Sequence, residues 1–110
     1  MTTKYGHFSP DQLKSTKSHL QKSIFFLLLY VDPKTKNEYQ GVDVANAIRS
    51  LQYKLDGLNS ILLESPHVVE TMSLLEAALD EVKRDSFDFR TYRKLILDAG
   101  SEIMKVKEGD

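Results

Sequence analysis

Four rows of apolar residues at helical spacing run along the chain, separated by stretches rich in Pro, Gly and Asp. In the second segment Val44, Ile48, Leu51, Leu55, Leu58 and Leu62 recur in steps of four and three, which lines one side of an α-helix. Val68, Met72, Leu75, Leu79 and Val82 repeat that spacing in the third segment, and Tyr92, Ile96, Ala99, Ile103 and Val106 follow it in the fourth. The first segment opens at Ser9-Pro10-Asp11-Gln12: Ser at the N-cap, Pro at the first helical position and Gln three after the cap. Its Leu13, Leu20, Ile24, Leu27 and Val31 fall on one side. Asp32 precedes Pro33 and is pushed out of the helical region, which stops the helix. Asp43 is the expected N-cap of the second helix, and Ser65-Pro66 closes it and caps the third.

The pattern predicts an all-α protein, an antiparallel four-helix bundle with helices at about 10–31, 43–64, 66–84 and 88–106. The short links after the second and third helices demand antiparallel neighbours, and the shared spacing suits crossing angles near 20°. Leucine dominates the apolar set and no Asn-Gly or Asp-Gly hairpin separates alternating runs, so strand signals are poor. Residues 1–8 are expected to form a flexible tail, 9–107 a single helical domain and 108–110 a frayed end. Gly57 and Gly100 fall inside helices, each costing about 1 kcal/mol against alanine. They read as tolerated imperfections, or at Gly100 as an early helix end.

With 110 residues and no cysteine, the chain has the length of one domain with its own core. It has no disulfide, thiolate zinc site or cysteine nucleophile. Its longest apolar run, Ile24 to Val31, is far short of the roughly 20 residues a membrane span needs. A cytoplasmic setting is expected. No Gly-rich phosphate loop, Gly-x-Ser-x-Gly or His-Glu-x-x-His is present, so the chain reads as non-enzymatic, with no catalytic residues, cofactor or metal. Glu64, His67 and Glu70 have a carboxylate–histidine spacing, but Pro66 interrupts it and no second copy exists, as a di-iron bundle would require. Glu70, Glu76, Asp80 and Glu81 on helix 3 are expected to form a solvated face.

Helix 1 differs from the others. Opposite its core stripe the first half carries Lys14, Ser15, Ser18, His19 and Lys22, whereas the second half carries Phe25, Phe26, Leu29 and Tyr30. Large aromatic side chains bury about 150–250 Å² each, so these four residues approach the scale of an interaction site. The function read from them is protein–protein contact, by homodimer or partner binding, with Phe25, Phe26, Leu29 and Tyr30 as the contact residues. Two other arrangements fit the same pattern: the 32–41 loop folds back with Tyr39 and Val42 to cover them, or helix 1 stands centrally among its neighbours.

Charge is uneven. Residues 1–40 carry six Lys and three acids, whereas residues 41–84 carry four bases and seven acids, a polarity that steers a charged partner or orients a dimer. Lys14, Lys17 and Lys22 of helix 1 with Arg90, Arg93 and Lys94 of helix 4 form a second-ranked candidate, a phosphate-contacting patch of a nucleic-acid accessory subunit. Near-neutral net charge places that reading behind protein contact.

In size, four helices, lack of cysteine, and the stretch from Phe89-Arg90-Thr91-Tyr92 to Ser101-Glu102-Ile103, the chain resembles the pediocin-type bacteriocin immunity proteins. The resemblance covers the architecture and about fifteen residues, and the apolar second half of helix 1 departs from it. It implies a small cytoplasmic four-helix bundle that acts by protein contact near a membrane permease and carries no catalytic residues. An immunity-type or a phage or bacterial regulatory factor is accordingly the alternative reading.

Overall fold

The computed structural model describes residues 2–3, 6–7, 10–35, 38, 41–61 and 65–106. Four helices carry the fold: α1 (Pro10–Leu29), α2 (Val44–Ile61), α3 (Pro66–Val82) and α4 (Phe89–Ile103). Ahead of them a two-residue antiparallel ladder pairs β1 (Thr2–Thr3) with β2 (Gly6–His7). The sequence reading did not anticipate that ladder, which falls within the segment expected to be a tail. The Ser9 cap, Leu62, the Tyr39 cover and the 108–110 end lie outside the described residues.

The predicted stripes form one core. Leu13, Leu20, Ile24 and Leu27 of α1 are buried with Ile48, Leu51 and Leu55 of α2, Val68, Leu75 and Leu79 of α3, and all five of Tyr92, Ile96, Ala99, Ile103 and Val106. Val31, Val44, Leu58, Met72 and Val82 pack at its margin. α3 and α4 pack together most extensively, α1 lies mainly on α4, α2 mainly on α3, and α1 touches α2 only lightly.

Hydrogen bonds give the direction of two of these pairs. The Lys17 ammonium donates to the carbonyls of Met104 (3.1 Å) and Val106 (2.6 Å), Gln21 to that of Gly100 (3.2 Å), and the Tyr92 hydroxyl to that of Leu27 (2.6 Å). Partners descend along α4 as they ascend along α1, so these two helices run in opposite directions. The same holds for α3 and α4, where His67 meets Glu102 at one end and the Asp88 amide donates to Glu81 at the other.

Helix ends follow local chemistry with two departures. Asp43 caps α2 by accepting from the Asn46 amide (3.2 Å), and Asp88 caps α4 by accepting from the Arg90 amide and the Thr91 hydroxyl (both 3.0 Å). Ser65 does not cap α3 with its side chain. Its hydroxyl is buried without a partner among the described residues, and α3 begins instead on Pro66, whose ring presets the helical φ, with the Ser65 carbonyl accepting from Val69 (3.0 Å). The second departure is Glu81, expected in water but buried: it accepts from the Asp88 amide at 2.8 Å and pairs with Arg84 at 3.2 Å. A carboxylate with a backbone donor and a guanidinium is compensated for its lost hydration.

Gly100 is no idle imperfection. α4 continues through it to Ile103, and a Cβ built there would collide with the Phe25 ring, 2.9 Å from Cζ. The glycine is the seat of an aromatic ring from α1. Gly57, by contrast, faces open space. Alanine at position 100 should therefore lose its usual advantage in the wild type yet gain about 1 kcal/mol once Phe25 is Ala. Chemical denaturation of the two single variants and the double variant reads this coupling directly.

Candidate functional site

The four helix 1 residues do not form one outward face. Phe25 is 37% exposed and leans over Gly100 toward α4. Phe26 and Tyr30 turn the other way, their rings 6.1 Å apart, lining a small groove of about 240 Å³ shared with Ala47, Ser50 and Lys54 of α2. Leu29 is half-buried, and its carbonyl accepts from the Thr35 hydroxyl (2.7 Å). One apolar row on the helical wheel is thus divided between two flanks.

The basic candidates divide as well. Lys17 is committed to the end of α4, where it donates to the carbonyl of the C-cap residue Met104 and to that of Val106 just beyond it. Arg90, Arg93 and Lys94 lie in the first turns of α4, at the opposite end of the α1–α4 pair from Lys17, and Lys94 is paired with Asp98 (2.9 Å). Lys14 and Lys22 are exposed on α1. The six cations do not gather into one patch.

Among the described residues no cluster of three or more His or acidic side chains is placed to hold a metal ion. His67 instead sits 2.8 Å from Glu102, whose other oxygen meets Lys105 at 3.0 Å. The His67 hydrogen bond, reinforced by Lys105 against a desolvation penalty, holds the Glu102 carboxyl below its ordinary value. A depressed carboxyl stabilises the fold above its unfolded-state value and stops doing so as pH falls through the folded one. Thermal melts should therefore drop on acidification below about pH 4.5, and Glu102→Gln should flatten part of that drop.

The feature with the geometry of a site lies between α2 and α3. A shallow, open groove of about 600 Å³ is lined by Arg49, Gln52, Tyr53, Asp56 and Asn59 from α2, and by Val69, Met72, Ser73 and Glu76 from α3. Tyr53 is 83% exposed and Val69 45% exposed, so an aromatic ring and an aliphatic side chain stand in water at its walls.

Its polar chemistry is one-sided. Gln52, Asp56 and Asn59 recur at steps of four and three, so they share a side of α2. Gln52 donates through Nε2 to the Met72 carbonyl at 3.0 Å. That bond fixes which end of the amide is nitrogen and leaves Oε1 buried without a partner among the described residues. Asn59 Oδ1 is likewise buried and without a partner among the described residues. Buried acceptors of this kind cost about 1–3 kcal/mol each, and both belong to residues that line one groove.

A scan of protein-family models finds no match. No curated protein and no solved structure matches the chain either.

Reading each helix alone missed this groove. One signal was present: Tyr53 sits away from the apolar stripe of α2, among Arg49, Gln52 and Asp56, where an aromatic ring has no core to join. What a single helix cannot display is the neighbour across from it, here Val69 and Met72 of α3.

Proposed function

We propose that this protein is a non-enzymatic binding module that works through protein–protein contact, and that the groove between α2 and α3 is the face that meets the partner. The observation that carries the reading is the exposure of Tyr53 and Val69 on a groove two of whose lining residues, Gln52 and Asn59, each keep a buried amide oxygen without a partner among the described residues. Interface centres favour aromatic anchors, and buried polar atoms left without partners are few in native folds. The latter half of α1 contributes less than its sequence suggests, since Phe25 is seated on Gly100 and Phe26, Leu29 and Tyr30 are each half-buried.

Charged substitutions separate the two faces. Tagged wild-type protein, the Tyr53→Asp/Val69→Asp variant and Phe25→Asp are recovered from the cells that make the chain, and light scattering shows whether any partner is a second copy. A stoichiometric companion retained by the wild type and Phe25→Asp but lost from the double variant supports the reading. Loss from Phe25→Asp alone returns the contact to α1.

A further inference from the structure

We infer that the α2/α3 groove receives a basic side chain, arginine in preference to lysine, carried on an apolar segment of a protein partner. This rests on the groove being a protein-contact face and names what that face selects. Asp56 takes the charge, and the Asn59 carboxamide turns outward to accept a further N–H.

Two residues that line the groove, Gln52 and Asn59, hold an acceptor oxygen turned inward, buried and without a partner among the described residues. Asp56 stands between them on α2, exposed and in no ion pair among the described residues. The groove's one cation, Arg49, donates to the neutral Asn46 amide at 3.2 Å, and the two acids Asp56 and Glu76 outweigh its charge in the same groove. An occupant bearing a carboxylate or phosphate would add acceptors to acceptors. One bearing only hydrocarbon would leave the amide oxygens as they are.

A guanidinium supplies what is missing. It brings several N–H donors in a planar fork, so one group can hold Asp56 and a neighbouring amide oxygen together. Its stem is hydrocarbon and lies against Val69 and Met72, and its face stacks on a ring such as Tyr53. Asn59 is free to respond, because its side chain makes no hydrogen bond to any described residue. Its oxygen gains a donor only by turning into the groove, which an arriving N–H rewards. Gln52 is held by Met72 and supports the wall.

The test is a selection of short linear peptides on the full-length chain, followed by amide shift mapping and titration. Selected peptides should carry arginine beside apolar residues, and their shifts should centre on Tyr53, Asp56, Asn59 and Val69. Replacing that arginine by neutral, near-isosteric citrulline should weaken binding about tenfold or more, and Asp56→Asn should do the same. Asn59→Leu should weaken binding without loss of fold, which separates a lost acceptor from a damaged scaffold. Peptides that map to the groove but bind equally well with citrulline overturn the basic occupant and leave the groove as a contact face. Selected peptides that all map elsewhere overturn both.

Discussion

Tyr92→Ala should cost about 3–5 kcal/mol of stability and Tyr92→Phe about 1–3 kcal/mol, measured by denaturant unfolding followed by circular dichroism. The ring is wholly buried and meets Phe87 edge-on, with centroids 5.7 Å apart. Its hydroxyl has a specific task. α1 ends at Leu29, and beyond it the Val31 and Asp32 amides both turn to the Leu28 carbonyl, so Leu27 lacks the usual donor four residues on. The Tyr92 hydroxyl fills that place at 2.6 Å, from a helix that runs the other way. Burial also pushes the phenol well above its ordinary range, so at neutral pH it is protonated and able to donate. Phenylalanine keeps the ring and orphans the carbonyl; alanine removes both. A domain of this kind holds only about 5–15 kcal/mol in total, so the alanine variant should sit near the edge of folding. A phenylalanine variant as stable as the wild type would mean that the Leu27 carbonyl has another donor.

Asn59→Leu is expected to act in the opposite sense, raising stability by about 1–2 kcal/mol. It removes an acceptor that is buried without a partner, a state costing about 1–3 kcal/mol, and puts a better helix former in α2. Gln52→Leu is the control. It also removes an unpartnered oxygen, but it sacrifices the hydrogen bond to Met72, so its gain should be smaller. Natural proteins keep destabilising polar groups where function uses them, and the account requires Asn59→Leu to be both more stable and a poorer binder. Thermal melts and partner titration on one preparation read both effects. A destabilised Asn59→Leu would show that the carboxamide already has a use within the fold.

The helices and most of the core were legible because burial within a helix follows its period. Tyr92, Ile96, Ala99, Ile103 and Val106 needed only their spacing to be placed inside. What spacing does not carry is the identity of the facing residue. Phe25 lies off the core stripe of α1 and reads as outward, yet the missing side chain at Gly100 lets its ring settle on α4. Glu81 reads as a surface acid until the chain turns at 83–88 and brings the Asp88 amide to its carboxylate. Lys17 looks like one of several surface cations until α4 ends beside it. Gln52, Asp56 and Asn59 are a visible polar row, but only the position of α3 shows that two of their oxygens are left without donors.

The central claim, that the partner meets α2 and α3 rather than the latter half of α1, is tested most directly by photo-crosslinking. A photoreactive phenylalanine is placed at position 53 in one strain, at 25 in a second, and at exposed Arg93 in a third as a control, each expressed at native level in the source cells. A discrete adduct from position 53, with none from 25 or 93, is the predicted result. An adduct from position 25 with none from 53 would contradict it.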